Sequence, residues 1–461
     1  MMNKPLKEID GLVKKYNVPT PRYTIYPAVP YWDSSNISFN KWIKALKRTF
    51  DETNNTKGIS LYLHMPFCES LCTFCGYDKR ITTNHFVEEI YIDALLKEFD
   101  NYLEQLSSRP NVAQIYMGGG TPTFFEPQAL EMLFDKILDK VDLKQDAFLH
   151  FEGHPNNTTR EHLEVLAKAG FNSVGFGIQD FDEKVQQTIN RVQTFEKVHE
   201  VYQNARESGF EYIKFDLLYG LPFQSVNTVN DTLNKVAKLR PDLVAIYSYE
   251  HIPDIKPSQR AFKDKNLPEN SKKYQLFETG AERLLSLGYE EIGVEHFALP
   301  NHPFAKAVRE NKLDRNFIGY THVKTDMMLG LGAIAFSNAH TVYVQNTGVV
   351  EEYHDKVFNN QPVIEKMHVL TKEDMLLRSF INSVLCTGEA DWSQELFDSL
   401  SSEAKYEVIE IQKAGFIDVS NQGFKVTPKG KPFIRTICRI FDSRQHRFYN
   451  PDKDKYFSKS I

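Results

Sequence analysis

Between residues 59 and 297, short apolar runs alternate with longer amphipathic ones, and no other feature limits the fold as much. Runs at 59–65, 112–117, 148–152, 173–179, 213–219, 243–249 and 291–297 have the length and bounding residues of strands. Stretches at 86–106, 127–141, 159–169, 195–208, 226–239 and 272–287 repeat apolar residues at helical spacing. Thr158 or Thr159 is placed to cap the helix at 159–169, and Gly170 to end it. This alternation implies a parallel sheet covered by helices. With about seven repeats, a full or partial barrel is expected rather than an open doubly wound sheet.

In either arrangement chemistry belongs at the carboxyl ends of the strands. The polar features sit there. A cysteine-rich loop follows the first run and Gly118-Gly119-Gly120-Thr121 the second; Glu152 ends the third and Gln179-Asp180 the fourth. Asp216 lies in the fifth, and Glu250-His251 end the sixth. Six such placements together favour one site.

The loop carries Cys68, Cys72 and Cys75, three of the chain's five cysteines, in a C-x3-C-x2-C pattern. Thiolates at this spacing can converge on one metal centre. Four would complete a zinc site or a full set of cluster ligands. Three leave one iron of a [4Fe-4S] cluster without a protein ligand. The pattern resembles the signature of radical S-adenosylmethionine (SAM) enzymes, in which SAM chelates that open iron. The alternative is a structural zinc site with a distant fourth ligand, although Cys386 and Cys438 are remote in sequence.

Other residues near the strand ends suit such a site. Tyr62 and His64 stand two apart on a strand, share a face, and are the candidate catalytic side chains. The glycine run lets backbone amides approach a ligand. Glu152 suits a ribose or an ammonium, Arg191 a carboxylate held in bidentate fashion, and Gln179 a hydroxyl or amide. Phe74 suits adenine, or shields the metal centre. Each of these also has an ordinary reading as a solvated charge or a core side chain.

A formal net charge of −6 gives no electrostatic footprint for nucleic acid. Five unevenly spaced cysteines point to a reducing compartment. The first 14 residues are charged and lack an apolar core, so no signal peptide is expected, and no apolar run reaches the ~20 residues of a membrane span. A cytoplasmic protein is expected. Residues 1–55 read as an N-terminal extension with a helix at 39–51, 56–300 as the barrel, 301–364 as loops returning to the site, and 365–461 as a mainly helical C-terminal domain. That last part opens with a helix at 372–384 and holds a hairpin of 416–419 and 424–427.

Across the chain, Pro21-Arg22-Tyr23-Thr24, Leu61-Tyr62-Leu63-His64-Met65-Pro66-Phe67-Cys68, Gly118-Gly119-Gly120-Thr121-Pro122-Thr123, Gln179-Asp180-Phe181, Asn190-Arg191, Asp216-Leu217-Leu218-Tyr219-Gly220-Leu221-Pro222 and Arg315-Asn316-Phe317 together resemble the oxygen-independent coproporphyrinogen III oxidases. The resemblance implies an α/β fold, a partial (β/α) barrel of the radical SAM type with a smaller, mainly helical C-terminal domain. It implies decarboxylation of two propionates of coproporphyrinogen III to vinyl groups by a 5′-deoxyadenosyl radical, giving protoporphyrinogen IX in anaerobic haem biosynthesis. It also implies a [4Fe-4S] cluster on Cys68, Cys72 and Cys75, and SAM. Tyr62, Gly119, Glu152 and Phe336 fall at positions of the first SAM site. Phe74, Gly120, Thr121, Gln179, Arg191, Asp216 and Glu250 fall at positions of an adjacent second SAM or substrate site. The expected partners are a small-molecule tetrapyrrole and an electron-donor protein, with the chain acting as a monomer.

Some positions depart from the family pattern. Tyr77 stands where the family has a further cysteine, and Glu250 where it has alanine. Ile318 replaces a polar residue, Ala333-Ile334 replaces Val-Ser, and Phe336 replaces a smaller aliphatic. These changes fall in the second site and substrate pocket. They leave open a related radical SAM enzyme acting on another tetrapyrrole, or a non-catalytic haem-binding member of the family.

Overall fold

The computed structural model describes residues 6–35, 37–392, 396–397, 400–448, 450 and 455–461. Six strands run parallel in chain order: β1 (Ile59–Met65), β2 (Asn111–Gly119), β3 (Asp142–Gly153), β4 (Ser173–Gln179), β5 (Tyr212–Tyr219) and β6 (Leu243–Ser248). β1 is buried along its whole length, as a strand covered on both faces must be. The intervening helices lie where their periodicity puts them, at Val87–Leu103, Pro127–Leu138, Arg160–Lys168, Phe195–Glu207, Val226–Leu239 and Ser271–Ser286. Thr159 is the cap of the third, in a reciprocal capping box with His162, and Gly170 follows its end with φ +94°.

The run at 291–297 is not one strand. Gly293 (φ +53°) and Glu295 (φ +64°) take left-handed backbone, and the chain folds into a hairpin of β7 (Glu290–Ile292) and β8 (His296–Ala298). β8 pairs antiparallel with β6 and ends the parallel run.

A second correction concerns 301–364, expected as loops. β9 (Met327–Leu331) is fully buried and pairs parallel with the free edge of β1. β10 (Phe336–Ala339), β11 (Val342–Asn346) and β12 (Ile364–Val369) extend the sheet antiparallel beyond it. The whole is one open, incomplete barrel of twelve strands in the order β12-β11-β10-β9-β1-β2-β3-β4-β5-β6-β8-β7. The loops at 315–320 are likewise a two-stranded hairpin, Asp314–Asn316 with Gly319–Thr321.

The C-terminal part has its own core. The helices Lys372–Thr387, Ser402–Lys413 and Ile434–Ile440 surround a small sheet of Glu389–Asp391, Gly423–Val426 and Ile417–Val419. Val13, Tyr16, Tyr23 and Tyr26 from the N-terminal segment are buried in that core. Arg435 holds the same segment by donating to the carbonyls of Thr20 and Pro21. The helix Leu6–Tyr16 and this packing were not expected.

Candidate active site

The cysteine loop leaves the end of β1 and is pinned on two sides. On one, Phe67–Cys68 pairs with Arg80–Ile81, and the loop after β2 donates from Gly120 N to Met65 O (2.7 Å) and from Thr121 N to Phe67 O (2.8 Å). A Cβ on Gly120 would lie 2.7 Å from the carbonyl oxygens of Pro66 and Phe67, so only glycine lets these segments approach. On the other, Thr73 N donates to Ile189 O, Asn190 Nδ2 to Leu71 O, and Gln259 Nε2 to Phe74 O.

Cys68 Sγ lies 3.2 Å from Thr121 Oγ1, and Cys72 Sγ lies 3.7 Å from Arg191 Nη1. Burial pushes the Cys68 thiol up to about 11. Among the described residues, no three His, Cys, Asp or Glu side chains are gathered closely enough to hold one metal ion. The three thiols share one pinned loop. The donor set still discriminates between metals. Cys386 and Cys438 are buried in other cores, so this loop offers three thiols without a fourth. Three suit an iron–sulfur cluster with one open corner better than a four-ligand zinc site.

Below the loop the inward faces of the strands form one polar network. Tyr62 and His64 share a face of β1, with Tyr62 Oη 2.7 Å from His64 Nδ1. Burial lowers His64 to about 4, so the ring is neutral. With the phenol donating, the imidazole proton rests on Nε2, which has no partner among the described residues. A Cβ on Gly119 would lie 2.8 Å from this ring.

Glu152 at the end of β3 receives three donors on one oxygen. Tyr116 Oη (2.7 Å), His150 Nε2 (3.0 Å) and Lys214 Nζ (3.3 Å) all meet Oε1. Burial opposes its charge, but the Lys214 ammonium and these hydrogen bonds outweigh it and hold Glu152 well below the usual carboxylate range. Oε2 points past Gly175, where a Cβ would lie 2.4 Å away. One carboxylate oxygen is therefore saturated and the other is kept clear.

Lys214 Nζ also lies 3.0 Å from Asp216 Oδ1. Burial raises the Asp216 carboxyl, with Lys214 pulling the other way. Arg191 donates from Nη2 to Gly177 O (2.6 Å), and a Cβ on Gly177 would strike both Arg191 and Gln179. Gly175 and Gly177 thus open a cradle in β4 between Glu152, Gln179 and Arg191.

The expected residues, Glu250 apart, fall into two groups. Cys68, Cys72, Cys75, Phe74, Gly119, Gly120 and Thr121 line the loop and its glycine turn. Tyr62, His64, Glu152, Gln179, Arg191 and Asp216 line the barrel mouth. Phe336 joins them from β10: its ring stacks on Phe317 at 4.5 Å, and Phe317 meets Tyr62 at 5.7 Å. Tyr77, at the position of the family's further cysteine, is 73% exposed and lies near Arg22, Asp216, Glu152 and Lys214.

Glu250 is a correction. Its carboxylate was expected in the second site and instead accepts from Arg22 Nε (2.8 Å) and Ser458 Oγ (2.9 Å), 3.5 Å from Arg435 Nη2. Two guanidiniums are stronger partners for a carboxylate than an open chamber. Lys214, His150 and Tyr116 escaped the sequence reading. Lys214 stands two residues from Asp216 and His150 two from Glu152, and that period-two spacing was the available signal for these two.

Comparison with known proteins places this geometry. The model of the radical SAM superfamily matches residues 62–236, from Tyr62 through the cysteine loop to the helix after β5. The solved structure of coproporphyrinogen III oxidase (HemN) from Escherichia coli, a radical SAM enzyme, superposes with a TM-score of 0.84 at 32% identity, covering 92% of this chain and 97% of that one. The E. coli oxygen-independent coproporphyrinogen III oxidase is 34% identical over 440 residues, 94% of each chain. The chain belongs to the oxygen-independent coproporphyrinogen III oxidase family. The Synechocystis enzyme of that name is 31% identical over 98% of this chain, and that of Helicobacter pylori strain J99 33% identical over 97%. Likeness to oxygen-independent coproporphyrinogen III oxidases therefore runs through the C-terminal part as well as the barrel.

Proposed function

We propose that this protein oxidatively decarboxylates two propionates of coproporphyrinogen III to vinyl groups, giving protoporphyrinogen IX. The observation that carries the reading is likeness along nearly the whole chain, joined to three thiols, without a fourth, on a loop pinned over a polar barrel mouth. The cofactors are a [4Fe-4S] cluster and SAM. When bound, they supply a carbon-centred radical able to take hydrogen from an unactivated carbon.

Cys68, Cys72 and Cys75 would hold the cluster. Tyr62, Gly119, Glu152 and Phe336 would line the first SAM site. Glu152 offers the unsaturated Oε2 to a hydroxyl pair, and its three donors keep it charged and in place. Gln179, Arg191 and Asp216, with Phe74, Gly120 and Thr121, would line the adjacent site, where Arg191 suits a carboxylate. The neutral His64 holds a proton at Nε2 beside Gly119 and can donate a hydrogen bond from it to a bound group, with Tyr62 fixing the ring. Glu250 takes no part in this set.

No helix of the described chain is long and apolar enough to cross a membrane. A cytoplasmic monomer reduced by a separate electron-donor protein completes the reading. The test is anaerobic turnover of reconstituted protein with reductant, SAM and coproporphyrinogen III, followed by chromatography. Protoporphyrinogen IX is the expected product. SAM cleavage without it would point to a different tetrapyrrole. Haem binding without SAM cleavage would remove the enzyme reading altogether.

A further inference from the structure

One cation of the barrel mouth touches the cysteine loop itself. The turn at 189–191 grips that loop at two points: Thr73 N donates to Ile189 O (3.0 Å), and Asn190 Nδ2 donates to Leu71 O (2.8 Å). Asn190 takes left-handed backbone there (φ +51°), and Arg191 N donates to Gln186 O (2.9 Å). The two residues held, Leu71 and Thr73, flank Cys72. The base of the Arg191 side chain is therefore fixed against Cys72, and its Nη1 lies 3.7 Å from that sulfur.

Not all of this guanidinium is engaged. Nη2 donates to Gly177 O (2.6 Å) and Nη1 faces the sulfur, while the buried Nε has no partner among the described residues. The carboxyl that feels its charge, Asp216, lies against Lys214 Nζ (3.0 Å). Arg191 is half-buried, so a solute can reach it, and Gly177 leaves room beside it, since a Cβ there would lie 2.9 Å from Nη2. A buried charged donor left unmet is costly, and a planar carboxylate is what a guanidinium fork accepts best.

One side chain therefore faces a cluster thiol and also offers a free donor to a carboxylate. Local charge and hydrogen bonds to the sulfurs set the reduction potential of an iron–sulfur centre. A guanidinium donating towards a ligand sulfur favours the state with one more electron. An anion on that guanidinium cancels part of its charge. The centre is then harder to reduce and, once reduced, a stronger one-electron donor.

We infer that Arg191 links the two: a carboxylate seated on it lowers the reduction potential of the centre that Cys72 helps to hold. This rests on the cluster reading of the site, and on the tetrapyrrole reading only for which carboxylate arrives. Linkage makes the effect reciprocal, so the carboxylate binds more tightly before the centre is reduced than after. The reduced centre becomes the better donor only with a ligand in place, which ties release of its electron to an occupied site.

The test is a dithionite redox titration followed by EPR, on full-length anaerobically reconstituted protein without SAM. Sodium propionate is the carboxylate, and sodium chloride at equal ionic strength is the control. The variants are Arg191→Gln, which removes the charge, and Arg191→Lys, which keeps it and loses the fork. Iron content and melting temperature show whether each is loaded and folded. Propionate is expected to move the parent's midpoint to more negative potential by about tenfold in the one-electron equilibrium, ~59 mV. Arg191→Gln should lie negative of the parent without propionate and stay there with it, and Arg191→Lys should lie nearer the parent. A parent with its four-iron centre whose midpoint is the same in propionate and chloride overturns the inference, whether or not the variants load. An equal propionate shift in loaded Arg191→Gln overturns Arg191 as the link. A parent without a four-iron centre overturns the cluster reading and this inference with it.

Discussion

At the scale of single residues, the site depends on which oxygen of Glu152 is free. Tyr116, His150 and Lys214 occupy Oε1, and the missing side chain of Gly175 keeps Oε2 open. Gly175→Ala puts a methyl 2.4 Å from that oxygen and must displace the carboxylate from its three donors. SAM binding is expected to weaken about 10-fold, the worth of roughly one charge-assisted hydrogen bond, and the melting temperature to fall as the buried donors lose their acceptor. Equilibrium dialysis with labelled SAM checks this, and unchanged affinity would mean that Oε2 does not face the ligand. The strand-end residues were legible because a parallel strand delivers its polar groups to one rim. Lys214 and His150 were not singled out, since a lysine or histidine in an apolar run reads as an exception until its neighbours are known. Glu250 misled because its position in sequence follows β6, while Arg22 and Arg435, more than 180 residues away on either side, decide where its carboxylate goes.

At the scale of elements, the strand β9 is held to the barrel by a buried network that the sequence reading missed. Glu98, on the helix Val87–Leu103, accepts from Gly332 N (2.8 Å), Tyr353 Oη (2.7 Å) and Asn346 Nδ2 (2.8 Å). Tyr91 of the same helix donates to His64 O and accepts from Ala333 N. Glu98→Ala would strand three buried donors, a cost of about 3 kcal/mol or more. Glu98→Gln, whose amide oxygen still accepts, should lose distinctly less. Guanidinium unfolding midpoints compare them, and equal losses would show that the network carries no weight. The six parallel strands and their helices were visible because apolar period and length agree there. The β9–β12 region was not, because Gly330 and Gly332 interrupt its apolar run and read as loop. In the structure Gly330 is needed because a Cβ there would meet the Phe336 backbone at 2.2 Å.

For the whole molecule, buried neutral histidines set a lower pH limit. Burial lowers His64 to about 4 and His296 and His302 to about 3, against about 6.5 in an unfolded chain. Between those values the unfolded state binds more protons, so stability falls as pH drops below about 6.5, by ~1.4 kcal/mol per unit for each group. Glu98 and Asp216 work the other way. Burial raises both to about 7, so they favour the fold at low pH and lose that contribution as pH rises towards 7. With His322 also lowered to about 4, the histidines outnumber the two carboxyls, and the melting temperature is expected to fall from pH 6.5 to pH 5. A flat or rising profile over that interval would show that these rings are not held neutral. The account as a whole depends on the three thiols of the loop carrying a centre that splits SAM. The most direct measurement is the yield of 5′-deoxyadenosine from anaerobically reconstituted, dithionite-reduced protein and SAM, beside Cys72→Ser treated identically. The parent should bind about four irons per chain and form 5′-deoxyadenosine, while Cys72→Ser loses both. A parent that holds zinc or no metal, or a variant that cleaves SAM as well as the parent, would contradict it.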